Sequence, residues 1–345
     1  SDWYSPDFKA AFKDIQPDII YHIGGHIQLS MIQTIRLAKK YCPNSKIIGF
    51  SMRGPHHNLH NRIIKGFSTS AIKSWLSFLY SYPRLKYVNK NVDAFFCHYP
   101  DALKAFKDEG FTKPIYMQTQ VGFNKEWFHP DSKSRQEIRE KYNLGDAFVF
   151  GSATRFTWDK GLDDILAALP EEGNWKYLMM GSGNESDKIR LLDTIKKRHL
   201  EDKVIMTGFV DWYDMAKYWN AIDCALHVPR TTYHWVETFS LSVVQAMATG
   251  KPIIGSDSGS VPYQIGPDGI IIKEGDISRL SEEMRWVMNH PEESKEIGNK
   301  LMTRAINSFE ILHLNELFYA TIIDLLNGIY DEKKSIWPKF FKYEQ

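Results

Sequence analysis

The chain is poor in the features that most quickly assign a class. It has only three cysteines in 345 residues, Cys42, Cys97 and Cys224, far apart and in no CxxC pair. That spacing argues against a disulfide framework or a zinc site and leaves buried, reduced thiols as the expectation. Net charge is scarce too: 43 Lys and Arg against 42 Asp and Glu give +1. Such a balance gives no reason to expect a nucleic-acid partner, although local patches can still matter. No apolar run approaches the ~18 residues of a membrane span. The longest stretches, residues 63–82 and 321–330, are broken by Lys, Ser and Asp. No secretory leader opens the sequence, so a cytoplasmic location is expected, at the inner face of a membrane if the chain meets one. No Asp-x-Asp metal site is found, and neither a metal nor a cofactor is expected.

What is present is globular material in a periodic order. Hydrophobic residues make up 43% and charged residues 25%, and the length suits two domains, each with its own core. Short apolar, β-branched runs recur at residues 18–21, 46–50, 92–96 and 115–117. A second series follows at 148–151, 177–180, 203–206, 224–227, 252–255 and 269–272, with helix-period segments such as 162–169, 188–198 and 241–248 between. This alternation predicts βαβ units and parallel sheets covered on both faces, an α/β protein. A polar stretch with a proline, residues 128–134, separates the two series. The expected domains are therefore 1–130 and 131–315, with a helix and tail at 316–345 that cross back to the first. Ligands of such sheets bind beyond the carboxyl ends of the strands, which places the expected active site in a cleft between the domains.

Three loops of the second half carry chemistry. Residues 151–162 run from a strand end into a helix and bring Arg155 and Lys160 to the strand's carboxyl edge. A planar bidentate donor, a point charge and helix-start N–H groups together suit a diphosphate; two solvated surface cations is the plainer alternative. Residues 180–185 contain Gly181 and Gly183 in a second strand-to-loop turn, a weak signal alone. The informative stretch is 227–254. There a strand ends, a loop carries Glu237, and a helix begins near Ser240, with Gln245 on its second turn. Amides around Thr238, Phe239, Ser240 and Leu241 would form an anion cradle. Glu237 could instead only stabilise the helix dipole.

This stretch, with Ala-Met-Ala-x-Gly-x-Pro at 246–252, resembles the signature of the retaining group 1 glycosyltransferases of the GT-B fold, family 4. Residues 155–161 resemble the same family's phosphate-binding loop, and residues 122–130 its interdomain element. The resemblance runs in consistent order over roughly residues 15–310. It implies two Rossmann-like doubly wound domains facing a cleft, the first of them short. It also implies that Glu237 contacts hydroxyls of the donor sugar and that Arg155 and Lys160 neutralise the diphosphate. Position 245 would hold the ribose, and backbone near Phe209 and Val210 would frame the base. Three positions depart from the pattern: Gln245 stands for a second acid, Ser240 for a glycine, and Tyr263-Gln264 for a glutamate.

The first half is less specific. Gly24, Gly25 and His26 follow its first strand and are candidates for acceptor binding, as are His56 and His57 after the next. Arg53 stands nearest to a family His-Gly and is the preferred catalytic candidate there. Each histidine is equally open to a structural role. Fewer βα units precede residue 17 than the family would have, which leaves open a truncated sequence, a minimal variant with unusual packing, or a homodimer or partner chain that completes the sheet. Residues 61–91 mix apolar, aromatic and basic side chains, as do residues 333–342. Such segments can contact an anionic membrane peripherally or pack inward with snorkelling lysines.

The expected function is transfer of a hexose-type sugar from a nucleotide sugar to a glycan or lipid-linked hydroxyl acceptor. The competing class is a non-catalytic sugar-nucleotide-binding or scaffold subunit, motivated by Gln245 and the short first half.

Overall fold

The computed structural model describes residues 6–51, 71–233 and 235–330, with the backbone alone for residues 71–79. Arg53, His56, His57 and the tail at 333–342 lie outside the described residues. The chain divides into two compact units, Ser1–Gln120 with Asn315–Gln345, and Val121–Leu314.

The first unit is built on four parallel strands, β1 (Ile19–Ile23), β2 (Lys46–Phe50), β3 (Ala94–Cys97) and β4 (Ile115–Met117), in that spatial order. The branched and aromatic residues of β2, β3 and β4 are buried on both sides, as parallel sheets require, while the edge strand β1 leaves Ile23 exposed. Asp93 fixes the β2–β3 register at its base: its backbone N–H donates to Ile47 O at 2.7 Å and its carboxylate accepts from Ile47 N at 2.8 Å. One face holds Ile48, Phe50, Ala94, Phe96 and Tyr116, against which Phe318, Ile322 and Leu325 of the Ile311–Leu326 helix pack. A buried bond from Gln118 Nε2 to Thr321 Oγ1, 3.0 Å, ties that helix to the sheet. Within the basic aromatic segment, the Ala71–Asn91 helix buries Leu85 and Val88 and lays Arg84 over the exposed Tyr80 ring.

The second unit has six parallel strands: β5 (Phe148–Ala153), β6 (Trp175–Met180), β7 (Val204–Gly208), β8 (Cys224–His227), β9 (Ile253–Ser256) and β10 (Ile270–Ile272). Their spatial order is β10-β9-β8-β5-β6-β7. The period of two sends Val149, Leu178, Met180 and Ala225 into one core and Phe150, Tyr177, Met179 and Cys224 into the other. This is the doubly wound pattern. An aspartate again sets a strand base, Asp223 accepting from Val149 N at 2.8 Å.

The division falls earlier than residue 130. Phe123 and Phe128 are buried in the first of these two cores, and Phe123 N donates to Phe309 O at 3.1 Å. Proline and polar residues after Phe128 mark a local bend, while long-range packing assigns residues 121–130 to the second unit.

Candidate functional site

β5 pairs with both β6 and β8. The strand order runs outward in opposite directions from that pair, so helices leave on opposite faces and a crevice opens at the carboxyl ends of β5 and β8. Arg155 and Lys160 follow β5, and Glu237 follows β8, so sequence positions 77 or more apart become neighbours.

Lys160 ends a short turn, Trp158–Lys160, and Gly161 beyond it has φ +71°. A Cβ at Gly161 would stand 2.0 Å from Val228 O, so only glycine lets this loop approach the β8 loop so closely. The approach brings Lys160 Nζ to 2.8 Å from Glu237 Oε2, with the Trp235 ring centroid 3.9 Å from the ammonium. His227, the last residue of β8, puts Nε2 3.4 Å from the same oxygen, within ion-pair distance but outside hydrogen-bond geometry. Glu237 is 6% exposed. Burial alone would raise its carboxyl, but His227 and then Lys160 outweigh it, and the pKa lies below the usual carboxylate value. A charged carboxylate is therefore held at the crevice, with a cation and an aromatic face beside it. Arg155 is exposed and has no ion pair among the described residues.

The loop around Glu237 is tied on all sides. Ser260 N donates to Glu237 O at 2.8 Å, and Thr231 N donates to Glu274 at 2.7 Å. Arg230 grips the buried Asp164 with two guanidinium nitrogens. Such ties hold the site rigid before any ligand arrives, which favours electrostatic work.

The amide cradle needs one correction. Ser240 N donates to Gln264 Oε1 at 2.9 Å, and Gln264 Nε2 returns a bond to Ser240 O at 2.9 Å. That amide is therefore taken by the fully buried Gln264. Thr238 is half-buried, Phe239 lies edge-on to Phe309 at 5.8 Å, and Leu241 opens the Leu241–Ala248 helix and packs on the core.

Gln245 is 3% exposed, and its Oε1 accepts from the indole N–H of Trp219 at 3.3 Å. An indole can only donate, so the oxygen must face Trp219 and the amide NH2 points away. That Nε2 is buried without a partner. An orphaned buried donor is rare and costly, and a ligand acceptor would satisfy it.

Other predicted positions are structural in part. A Cβ at Gly181 would meet Thr154 O at 1.9 Å, and Gly181 N donates to Gly208 O at 2.9 Å. Gly183 packs against Phe156, whose N–H bonds Ser182 O at 2.9 Å. Both glycines join the β5 and β6 loops. Phe209 is 78% exposed, while Val210 is buried against the core that holds Trp219.

In the first unit, His26 does not present itself to a ligand. It is buried edge-on to Phe95 and Phe106, with Nε2 3.4 Å from Glu109 Oε2. Gly24 N donates to Phe50 O and Gly25 N to Gln28 Oε1, both at 3.2 Å.

Sequence reasoning missed His227, Trp235 and the holding role of Gln264. His227 left a trace, a polar residue ending an otherwise apolar buried strand. Among the described residues no group of three or more His, Cys, Asp or Glu could hold a metal ion, and no helix is long and apolar enough to cross a membrane.

The fold is that of an α/β protein of the GT-B class. The chain matches the family described as glycosyl transferases group 1 over residues 134–302. It is 25% identical over 198 residues to the GDP-mannose-dependent monoacylated alpha-(1-6)-phosphatidylinositol monomannoside mannosyltransferase of Corynebacterium glutamicum, covering 55% of this chain and 51% of that protein. It is likewise 25% identical over 208 residues to the O-antigen biosynthesis glycosyltransferase WclY of Escherichia coli, covering 58% and 52%. The chain thus spans about half the length of these relatives. Among solved structures, Anabaena HepE in complex with UDP superposes with a TM-score of 0.75 at 15% identity, over 93% of this chain and 82% of HepE.

Proposed function

We propose that the chain transfers a sugar from a nucleotide-diphosphate donor to a hydroxyl acceptor with retention of anomeric configuration. The carrying observation is the Lys160–Glu237 contact at the switch point, 2.8 Å, between the two loops where such sheets bind nucleotides. Names among the relatives support a nucleotide carrier: GDP-mannose for the corynebacterial protein and UDP for the solved Anabaena structure. They also support a glycan or lipid-linked acceptor, since one acts on a phosphatidylinositol mannoside and another in O-antigen biosynthesis.

In this reading the bond from the anomeric carbon to the phosphate oxygen breaks and its electron pair leaves with the nucleoside diphosphate. The acceptor oxygen forms the new bond on the same face, and its proton passes to the departing phosphate. Arg155 and the remaining hydrogens of Lys160 stabilise the charge that develops on the diphosphate. Glu237, kept ionised, accepts hydrogen bonds from donor-sugar hydroxyls and steadies the cationic sugar. The Gln245 amide donates to the nucleotide.

The test is release of nucleoside diphosphate from a panel of nucleotide sugars, by the wild type and by Glu237→Ala and Lys160→Ala. Loss of one preorganised charge predicts a fall of about 10²–10³-fold. Wild-type rates in both variants would sink the reading.

A further inference from the structure

The first unit carries a second concentration of charge, at the amino-terminal ends of its strands, the opposite end of the sheet from the loops where an open α/β sheet binds ligands. A pocket of about 270 Å3 opens there, between the end of the Leu29–Tyr41 helix, the start of β2 and the residues before β3 and β4. Lys39, Lys46, Lys90 and Lys113 line it, with Asn44 beside them and Asp93 as its carboxylate. Asp93 is already engaged, accepting from Ile47 N at 2.8 Å. Two helices end at the pocket, each with roughly half a negative charge at its carboxyl end. Together with Asp93 they leave a net charge of roughly +2 against four ammonium groups.

Lys113 shows what this costs. Its ammonium donates to Lys90 O at 3.0 Å and to Val92 O at 2.5 Å, so it is fixed in place. Burial pushes its pKa down, Asp93 pulls it up, and Lys39 and Lys46 push it down again, with a net lowering. Lysines that repel one another around a concavity are destabilising unless an anion sits among them. Helix capping accounts for Lys113 but not for Lys39 and Lys46, whose ammonium groups, among the described residues, make no hydrogen bond to a carbonyl and no ion pair with a carboxylate.

We propose that this pocket binds a phosphoryl-type anion, a phosphate monoester or diphosphate, held by Lys39, Lys46 and Lys90 over the fixed Lys113. The group can come as a free anion or as the headgroup of an anionic lipid. The pocket does not belong to the crevice of the second unit and does not depend on the function proposed for it.

The experiment uses the full chain with pyrophosphate as probe, against sodium chloride at matched ionic strength. Amine acetylation read by mass spectrometry reports each lysine separately, so occupancy here is distinguishable from occupancy near Lys160. Pyrophosphate is expected to protect Lys39 and Lys46 several-fold and to raise Tm by a few degrees. In Lys39→Gln/Lys46→Gln, changes on exposed and half-exposed side chains, the protection of Lys90 is expected to vanish. Co-sedimentation with phosphatidic acid vesicles, against phosphatidylcholine vesicles, separates the sources. Binding by the wild type and not the double variant assigns the headgroup, and protection without vesicle binding assigns a free anion. Protection no greater than with sodium chloride, together with equal vesicle binding by both proteins, overturns the proposal.

Discussion

The indole N–H of Trp219 donates to Gln245 Oε1 at 3.3 Å, and this bond decides which end of the amide is left over. With its oxygen occupied, Gln245 offers a buried NH2 and nothing else. Trp219→Phe stays aromatic, removes the indole donor and frees the amide to turn. One neutral hydrogen bond is worth about 1 kcal/mol and the smaller ring leaves a cavity in the core, so stability measured in urea should fall by more than about 1 kcal/mol. Nucleoside diphosphate affinity, measured by calorimetry, should fall as well, because the donor loses its fixed direction. A stability loss with unchanged affinity would show that Gln245 serves only the core.

The Lys160–Glu237 contact predicts a coupling. Both side chains are nearly buried, 10% and 8% exposed, and removing one charge strands the other at a cost of about 3–5 kcal/mol. Lys160→Met and Glu237→Leu should each destabilise strongly, while the double variant should lose clearly less than their sum in a urea-unfolding cycle. Acid should act through the same group. Glu237 titrates below its usual value, so its contribution is complete above the ordinary carboxylate pKa and is lost as pH falls through the lower folded value. Glu237→Gln should flatten that part of the acid profile.

Alkaline pH tests a second group. Lys251 donates to Asn220 O at 3.1 Å, and burial, followed by the Arg135 charge, pushes its amine down from 10.5 to about 8. Between those values the unfolded chain binds more protons than the folded one, so this lysine makes stability rise with pH across the window. The gain is on the order of 3 kcal/mol at most. The buried thiols of Cys97 and Cys224, raised by burial from 9.0, oppose it from about pH 9, and the phenols of Tyr21 and Tyr177 near pH 10 and above. Urea midpoints from pH 7 to 9 should therefore climb in the wild type and not in Lys251→Met, before the two thiols reverse the trend at higher pH.

Gly161→Ala addresses the loop itself. At φ +71° and with Val228 O only 2.0 Å from the new Cβ, the backbone must move, and Lys160 moves with it. The variant should lose more stability than the ~1–2 kcal/mol that a left-handed alanine costs by itself and should weaken nucleoside diphosphate binding. Wild-type binding would mean that the approach of the two loops does not position Lys160.

Much of the sheet was legible because burial on both faces writes strands as short branched runs. β2, β4 and β8 fall on the residues expected from such runs, as does the Leu241–Ala248 helix. What failed was long-range. The unit boundary depends on Phe123 meeting Phe309, and polar residues after Phe128 say nothing of that contact. His26 looked like a loop histidine after two glycines, yet Glu109 and two phenylalanine rings draw it inward. The Ser240 amide looked open because its partner, Gln264, lies on a different helix. Glu237 and Lys160 were nameable separately, but their contact needed the strand order β8-β5, which no local pattern carries.

The most direct measurement is calorimetric titration of UDP and GDP into the wild type and into Lys160→Ala. The account predicts saturable binding of at least one diphosphate by the wild type and a loss of about tenfold or more in the variant, the scale of one charge-assisted hydrogen bond to phosphate. Binding of neither diphosphate by the wild type, or equal affinity in both proteins, would contradict it.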